Sequence, residues 1–435
     1  MRFGYLSFIG IIASFSLNAV TLTWDDCVRM ASESNPDLTT ARNEWLSVQQ
    51  NERVAIGSFL PSLSAQTSVT KTGSTGQSAG GAGAIVSNGV VLNQGGTGSN
   101  IATNYVASLN LRQNLFNGLE DYSRYQQSKW KTETSFWAFE QVKSTVTYSL
   151  KDAFASLVFA QESLDLSRSI KGRRESNYKL VSVRYDNGRE NKGSLLLAEA
   201  YYEQAQLDVT KAEDAFKVAQ SKLLSLINKE HLEEIRVEGD VPLTTLDEKR
   251  DTAELALETP SYKQSQAQEY SSGEDITIAK SNFLPSLDLT GNVLRQGDNY
   301  FPERERWSVA LTLTIPLFDG LKDYAATKGA VFTKYAAESR KRSNLMSLIP
   351  RLRDAQNQAR QSDIKFSIDD KFQKASGTRA EIARAKYNNG LITFEDWDII
   401  ENELIQRQTS FLSSKRERIL RYATWENLLG RRAMK

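Results

Sequence analysis

Side chains able to do covalent or metal chemistry are scarce in this chain. Its 435 residues hold one histidine and one cysteine, too few for a nucleophile and base pair or a metal cluster. His231 stands in the polar run Asn228-Lys229-Glu230-His231-Leu232 and reads as a solvated linker residue. Cys27 follows Trp24-Asp25-Asp26, which lacks the small residues a lipoprotein signal places before its cysteine, so it reads as a packing residue. No catalytic set, cofactor site or metal site emerges, and no enzyme is expected. With 54 basic and 53 acidic residues, nothing argues for nucleic acid as a partner. The charge cluster that stands out is acidic: Glu395, Asp396 and Asp398, shortly after the turn Tyr387-Asn388-Asn389-Gly390. Carboxylates in the first turns of a helix complement its dipole, which is the plain account of all three.

That turn occurs twice. Tyr185-Asp186-Asn187-Gly188 lies 202 positions before Tyr387-Asn388-Asn389-Gly390, and in both the Asn-Gly pair supplies the left-handed residue that ends a helix and reverses the chain. Each tip follows about seventy helix-compatible residues and precedes another long helical pattern. The chain therefore reads as one unit built twice.

Other elements repeat in the same order. Asn35-Pro36 starts a helix running to about Phe59, and Thr259-Pro260 starts one running to about Phe283. Both stop at the same letters, Leu60-Pro61-Ser62-Leu63 and Leu284-Pro285-Ser286-Leu287. The apolar period then drops from about 3.6 to 2. Strands are expected at about 61–71, 101–115, 285–295 and 305–316. In the clearest, Trp307, Val309, Leu311, Leu313 and Ile315 alternate with Ser308, Ala310, Thr312 and Thr314. One apolar and one small polar face suit a barrel strand between lipid and a wet lumen, and equally a soluble sandwich. Tyr105, Tyr300, Phe301 and Trp307 near the strand ends hint at an aromatic belt. A Gly/Ser/Asn-rich tract from about Gly73 to Asn100 reads as a loop on the outer surface.

Corners follow the strands at Leu115-Phe116-Asn117-Gly118 and Leu317-Phe318-Asp319-Gly320, with Asn117 and Asp319 as caps of long helices over about 119–186 and 320–388. Pro350 predicts a local adjustment in the second. Thr23 with Asp26 forms a capping box for a short opening helix. The domain reading is a signal peptide over 1–19, a first repeat over 20–230, an equatorial linker over 231–258 and a second repeat over 259–435. No later segment reaches the roughly eighteen continuous apolar residues a spanning helix requires, so entry into a membrane would have to be as a β-barrel.

The doubled Leu-Pro-Ser-Leu, the Leu-Phe-Asn/Asp-Gly corners and the two Tyr-x-x-Gly tips, in this order at near-constant offsets, resemble the TolC-like outer-membrane efflux protein family over essentially the whole mature chain. The fold this implies is mainly α with a small β part. The duplicated helix-strand-strand-helix-helix repeat would assemble as a homotrimer, with a 12-stranded outer-membrane β-barrel continuous with a periplasmic α-helical barrel. Barrel closure points the same way, because four strands cannot close a membrane barrel and three chains supply about twelve.

The resemblance also implies sites. The family gates its tunnel at the helix tips, which places Tyr387 and Asp396 at a pore gate with Glu395 and Asp398 beside them. A ring of such carboxylates would attract cations. Where some relatives carry an acidic partner after the first tip this chain has Gly193-Ser194, and where they carry an arginine after the second it has Ile392. Glu190, Arg189 or Lys192 could take over a lock between helices. The tips are also where the family meets a periplasmic adaptor (membrane fusion) protein linked to an inner-membrane transporter. Arg184, Tyr185, Asn187, Gly188, Lys386, Asn389 and Gly390 are the docking candidates. The function expected is a passive exit duct in the outer membrane of a Gram-negative bacterium, for efflux or type I secretion, with outer-membrane lipid around its barrel. The reading from another class is a secreted periplasmic coiled-coil scaffold or adaptor.

Overall fold

The computed structural model describes residues 20–74, 86–87, 90–91, 100–229, 235–246 and 250–434. The expected signal peptide, His231 and most of the Gly/Ser-rich tract lie outside the described residues. In chain order the elements of the first half are β1 (Val20–Leu22), α1 (Trp24–Ser34), α2 (Pro36–Gly57), β2 (Ser62–Ser74), β3 (Val86–Ser87), β4 (Val90–Val91), β5 (Asn100–Asn117), α3 (Glu120–Asp186) and α4 (Lys192–Leu226). After β6 (Ile235–Val237) and α5 (Thr252–Glu258), the order repeats as α6 (Pro260–Ser281), β7 (Ser286–Gly297), β8 (Arg304–Thr314), α7 (Lys322–Asn388) and α8 (Phe394–Leu429).

Local chemistry sets most of these boundaries. Thr23 and Asp26 form the reciprocal capping box of α1. Asn35 accepts from the Leu38 amide at 3.1 Å and Thr259 from the Tyr262 amide at 3.3 Å, each just before the proline that opens α2 or α6. Asn117 and Asp319 accept from the amides of Asp121 and Asp323, capping α3 and α7. The α7 helix runs through Pro350.

The described residues fall into two compact units, one within Met1–Leu46, Glu133–Gln266 and Ser339–Lys435 and the other comprising Ser47–Thr132 and Ala267–Glu338. The first unit is helical, with a core in which Trp24, Cys27, Leu150, Phe154, Leu157, Leu223 and Ile227 pack together. The 231–258 linker contributes to it: β6 pairs in parallel with β1, matching Leu22 to Val237, and Ile235, Val237 and Val241 are buried. Three-residue strands are too short for alternation to show, so neither β1 nor β6 carries a legible pattern. Lys151 on α3 donates to Glu426 of α8 at 2.6 Å and to the Pro242 carbonyl at 3.1 Å, a buried ionic joint between two helices and the linker.

The second unit holds a four-stranded antiparallel sheet in the order β2-β5-β7-β8. Its register stacks Leu63, Leu111, Gly291 and Val309 in one rung and Ala65, Leu109, Val293 and Trp307 in the next. Between those rungs, on the opposite face, lie Ser64, Asn110, Asn292 and Ser308, with Asn292 bonded to Asn110. A register shift between Asn114 and Phe116 ends the regular ladder beside the Gly118 corner.

Candidate functional site

The two Tyr-x-x-Gly turns meet. Each ends in a left-handed glycine, Gly188 at φ 67° and Gly390 at φ 73°, and each is closed by the same pair of backbone bonds, Gly188 to Tyr185 and Arg189 to Arg184, Gly390 to Tyr387 and Leu391 to Lys386. Asn187 and Asn389 each donate to the carbonyl four residues back, those of Val183 and Ala385, satisfying acceptors that the ending helices leave free.

Tyr387 is the centre of the site. It is 1% exposed and stacks on Trp397 with ring centroids 4.5 Å apart, while Phe394 meets it edge-on at 6.3 Å. Val181, Ala198 and Ala383 complete a small apolar core under the turns. Arg184 places its guanidinium 4.4 Å over the Tyr387 ring and donates to the Tyr387 carbonyl at 2.6 Å. The Tyr387 hydroxyl donates to Glu190 Oε2 at 2.8 Å, linking the second tip to the segment after the first. Burial and the Glu190 carboxylate raise the pKa of the hydroxyl well above the ordinary tyrosine value, with Arg184 opposing more weakly, so it stays a donor.

The three carboxylates after the second tip separate into three environments. Glu395 is exposed. Asp396, also exposed, forms a capping box with Thr393, whose hydroxyl donates to it at 2.8 Å and accepts from its amide at 3.1 Å. Asp398 is buried and bound by Arg174 of α3 at 2.8 Å, with Asn402 spanning the same pair. One turn on, Glu401 receives Arg173 at 2.6 Å.

Of the docking candidates, Tyr185, Asn187, Gly188, Lys386, Asn389 and Gly390 are exposed, whereas Arg184 is half-buried and turned onto Tyr387. Phe394 and Trp397 were not among the site residues named from the sequence. Their spacing of three, which puts both on one helix face, was the available signal.

In the second unit the sheet presents two unlike faces. Leu63, Val69, Leu109, Leu111, Val293, Trp307, Val309, Leu311 and Leu313 are all exposed on one. Its last rungs carry the Arg295–Glu305 ion pair at 2.8 Å, then Tyr105, whose ring meets Tyr300 at 5.9 Å. The other face carries Ser62, Ser64, Gln66, Asn110, Arg112, Asp288, Asn292, Ser308 and Thr312.

Comparison with known proteins places this geometry among relatives. The family model described as "Outer membrane efflux protein" matches residues 27–229 and 253–431. The alkaline protease secretion protein AprF of Pseudomonas aeruginosa is 26% identical over 235 residues, covering 52% of this chain and 49% of that protein. The chain thus spans about half the length of this relative. Among solved structures, one of CusC has a TM-score of 0.81 at 15% identity, covering 96% of both chains. The Campylobacter jejuni CmeC outer membrane channel has 0.79 at 16% identity, covering 99% of this chain and 93% of its own. The open-state MtrE outer membrane channel of Neisseria gonorrhoeae has 0.78 at 20% identity, covering 97% and 94%.

Proposed function

The chain belongs to the outer membrane efflux protein family, and from that premise we propose that it is an outer-membrane exit duct, passing small molecules or proteins passively from the periplasm to the exterior. Its family and fold are those of channel proteins. One observation carries the reading. The four-stranded sheet ends in β2 and β8, whose outer edges have no partner among the described residues, and it leaves a broad apolar face exposed, with a polar face behind it. A soluble sheet would cover the apolar face and protect the edges. Lipid against that face, and the strands of further copies against those edges, satisfy both requirements. Three copies supply about twelve strands, enough to enclose a wet lumen.

The paired tips act in this reading as the periplasmic gate. Tyr387, held by Glu190, Arg184 and Trp397, fixes the second turn against the first. Glu395 and Asp396 are the acidic groups free to face a passing cation. Asp398 serves the gate by anchoring α8 to α3 through Arg174. The exposed turn residues Tyr185, Asn187, Gly188, Lys386, Asn389 and Gly390 offer a surface to a periplasmic adaptor that links the duct to an inner-membrane transporter. Arg184 supports that surface from beneath.

The test is to purify the mature chain from Gram-negative outer membranes and measure its assembly and conductance. A detergent-dependent trimer that conducts ions in a planar bilayer is expected. A detergent-free monomer without conductance would refute the duct.

A further inference from the structure

Among the described residues, the charged side chains of the sheet without an ion pair are Lys71 of β2, which alternates onto the apolar face with Val69, and two arginines of the polar face. On the apolar face Arg295 is paired with Glu305 at 2.8 Å. On the polar face Arg112 lies 3.5 Å from Asp288, at the end of the sheet nearer the helices. At the opposite end of that polar face stand Arg304 and Arg306, in register with Gln296 and Leu294 of β7. Both are exposed, and neither has an ion pair or hydrogen bond among the described residues. The flanking residues farther across the same face, Val106 and Ser108 on β5 and Gln66 and Ser68 on β2, bring no carboxylate.

Assembly would not supply one either. The outer edge of β8 has no partner among the described residues, and in a closed barrel its neighbour is β2 of the next copy. The sequence from Ser62 to Leu119 contains no aspartate or glutamate. Glu305, between the two arginines in sequence, points to the other face and is taken by Arg295, while Asp298 and Glu303 lie in the connection beyond the last ladder pair, Gln296 with Arg304, and neither is bonded to either arginine.

We infer that Arg304 and Arg306 form a basic ring inside the outer mouth of the duct, and that this ring favours the exit of anionic solutes. The inference rests on the duct reading proposed above, which makes the polar face the lumen. A guanidinium remains charged at every physiological pH, and repeating the pair around a narrow pore concentrates anions and repels cations.

The experiment measures reversal potential in a potassium chloride gradient across planar bilayers holding the full mature protein. Replacing both residues, R304Q with R306Q, should lower the chloride-to-potassium permeability ratio several-fold, while R304K with R306K should preserve it. The difference should shrink in concentrated salt, where fixed charges are screened. A second readout places a thiol two residues along the same face, Ser308→Cys, since the native Cys27 is buried. Its labelling by an anionic thiosulfonate relative to a cationic one should fall when the arginines are neutralised. Equal permeability and labelling ratios with and without the arginines would overturn the inference and leave them as protectors of an edge strand. A wild-type protein that inserts but does not conduct would refute the duct itself, and the ring with it.

Discussion

Tyr387 Oη donates to Glu190 Oε2 at 2.8 Å across 197 positions of sequence. The bond joins the end of α7 to the segment between α3 and α4, so the two helical hairpins are fastened to each other at their tips. Because burial keeps the hydroxyl protonated, the fastening depends on Glu190 as acceptor.

Removing the hydroxyl should loosen the tips without unfolding them. Tyr387→Phe keeps the stack on Trp397 and loses only the bond, worth about 2 kcal/mol when the acceptor is charged. Glu190→Ala should behave alike, and Glu190→Gln, which retains an acceptor oxygen, should have a smaller effect. Single-channel recordings should show higher conductance or longer openings for the first two variants. Conductance equal to wild type would remove the bond from the gate.

The three carboxylates after the second tip should differ in their effect on stability. Asp398→Ala strands the buried Arg174 and should cost about 3–5 kcal/mol. Asp396→Ala removes an N-cap partner and should cost about 1 kcal/mol. Glu395→Ala, at an exposed position, should change stability by less than about 0.5 kcal/mol. Thermal unfolding in detergent would rank them. Cation block should respond in a different order, falling for Glu395→Gln and Asp396→Asn, the pair free to face solvent.

The corners after the strands should be unequal despite their matching letters. Gly118 and Gly320 both have positive φ, at 67° and 73°, so alanine is strained at either. A Cβ on Gly118 would also fall 2.7 Å from the Ser281 carbonyl oxygen and 2.8 Å from Leu284 Cβ, whereas one on Gly320 would meet open space. Gly118→Ala should therefore reduce the yield of folded protein, and Gly320→Ala should lower the melting temperature only modestly. Equal effects would show that backbone strain alone decides both.

Cys27 should be chemically silent until the protein unfolds. Burial, reinforced by the charge of Asp26, pushes its thiol from 9.0 up to about 12. A folded-state pKa raised in this way contributes stability that is complete below pH 9.0 and is lost as the pH climbs from there toward about 12. Alkylation near pH 8 should be slow in the native protein and fast in denaturant. Cys27→Ser should flatten the alkaline side of the stability profile. Rapid native alkylation would contradict the burial.

The sequence by itself determined the architecture, because its signals are local. Period, proline placement and glycine turns are set within a few residues, and here each occurred twice: Asn35-Pro36 with Thr259-Pro260, Leu60-Pro61 with Leu284-Pro285, Gly188 with Gly390. The order of elements and the family followed from that duplication. Tertiary structure alone decided what each charged group does. Glu395, Asp396 and Asp398 lie within four residues, yet one is exposed, one caps its own helix and one is buried against Arg174, more than two hundred positions away. Arg184, basic and adjacent to a turn, lies over the Tyr387 ring. The parallel pairing of β1 with β6 likewise joins segments too short to carry a pattern. Long-range partners leave no periodic trace in the chain, since a carboxylate in a pair, a cap or open solvent is written with the same letter.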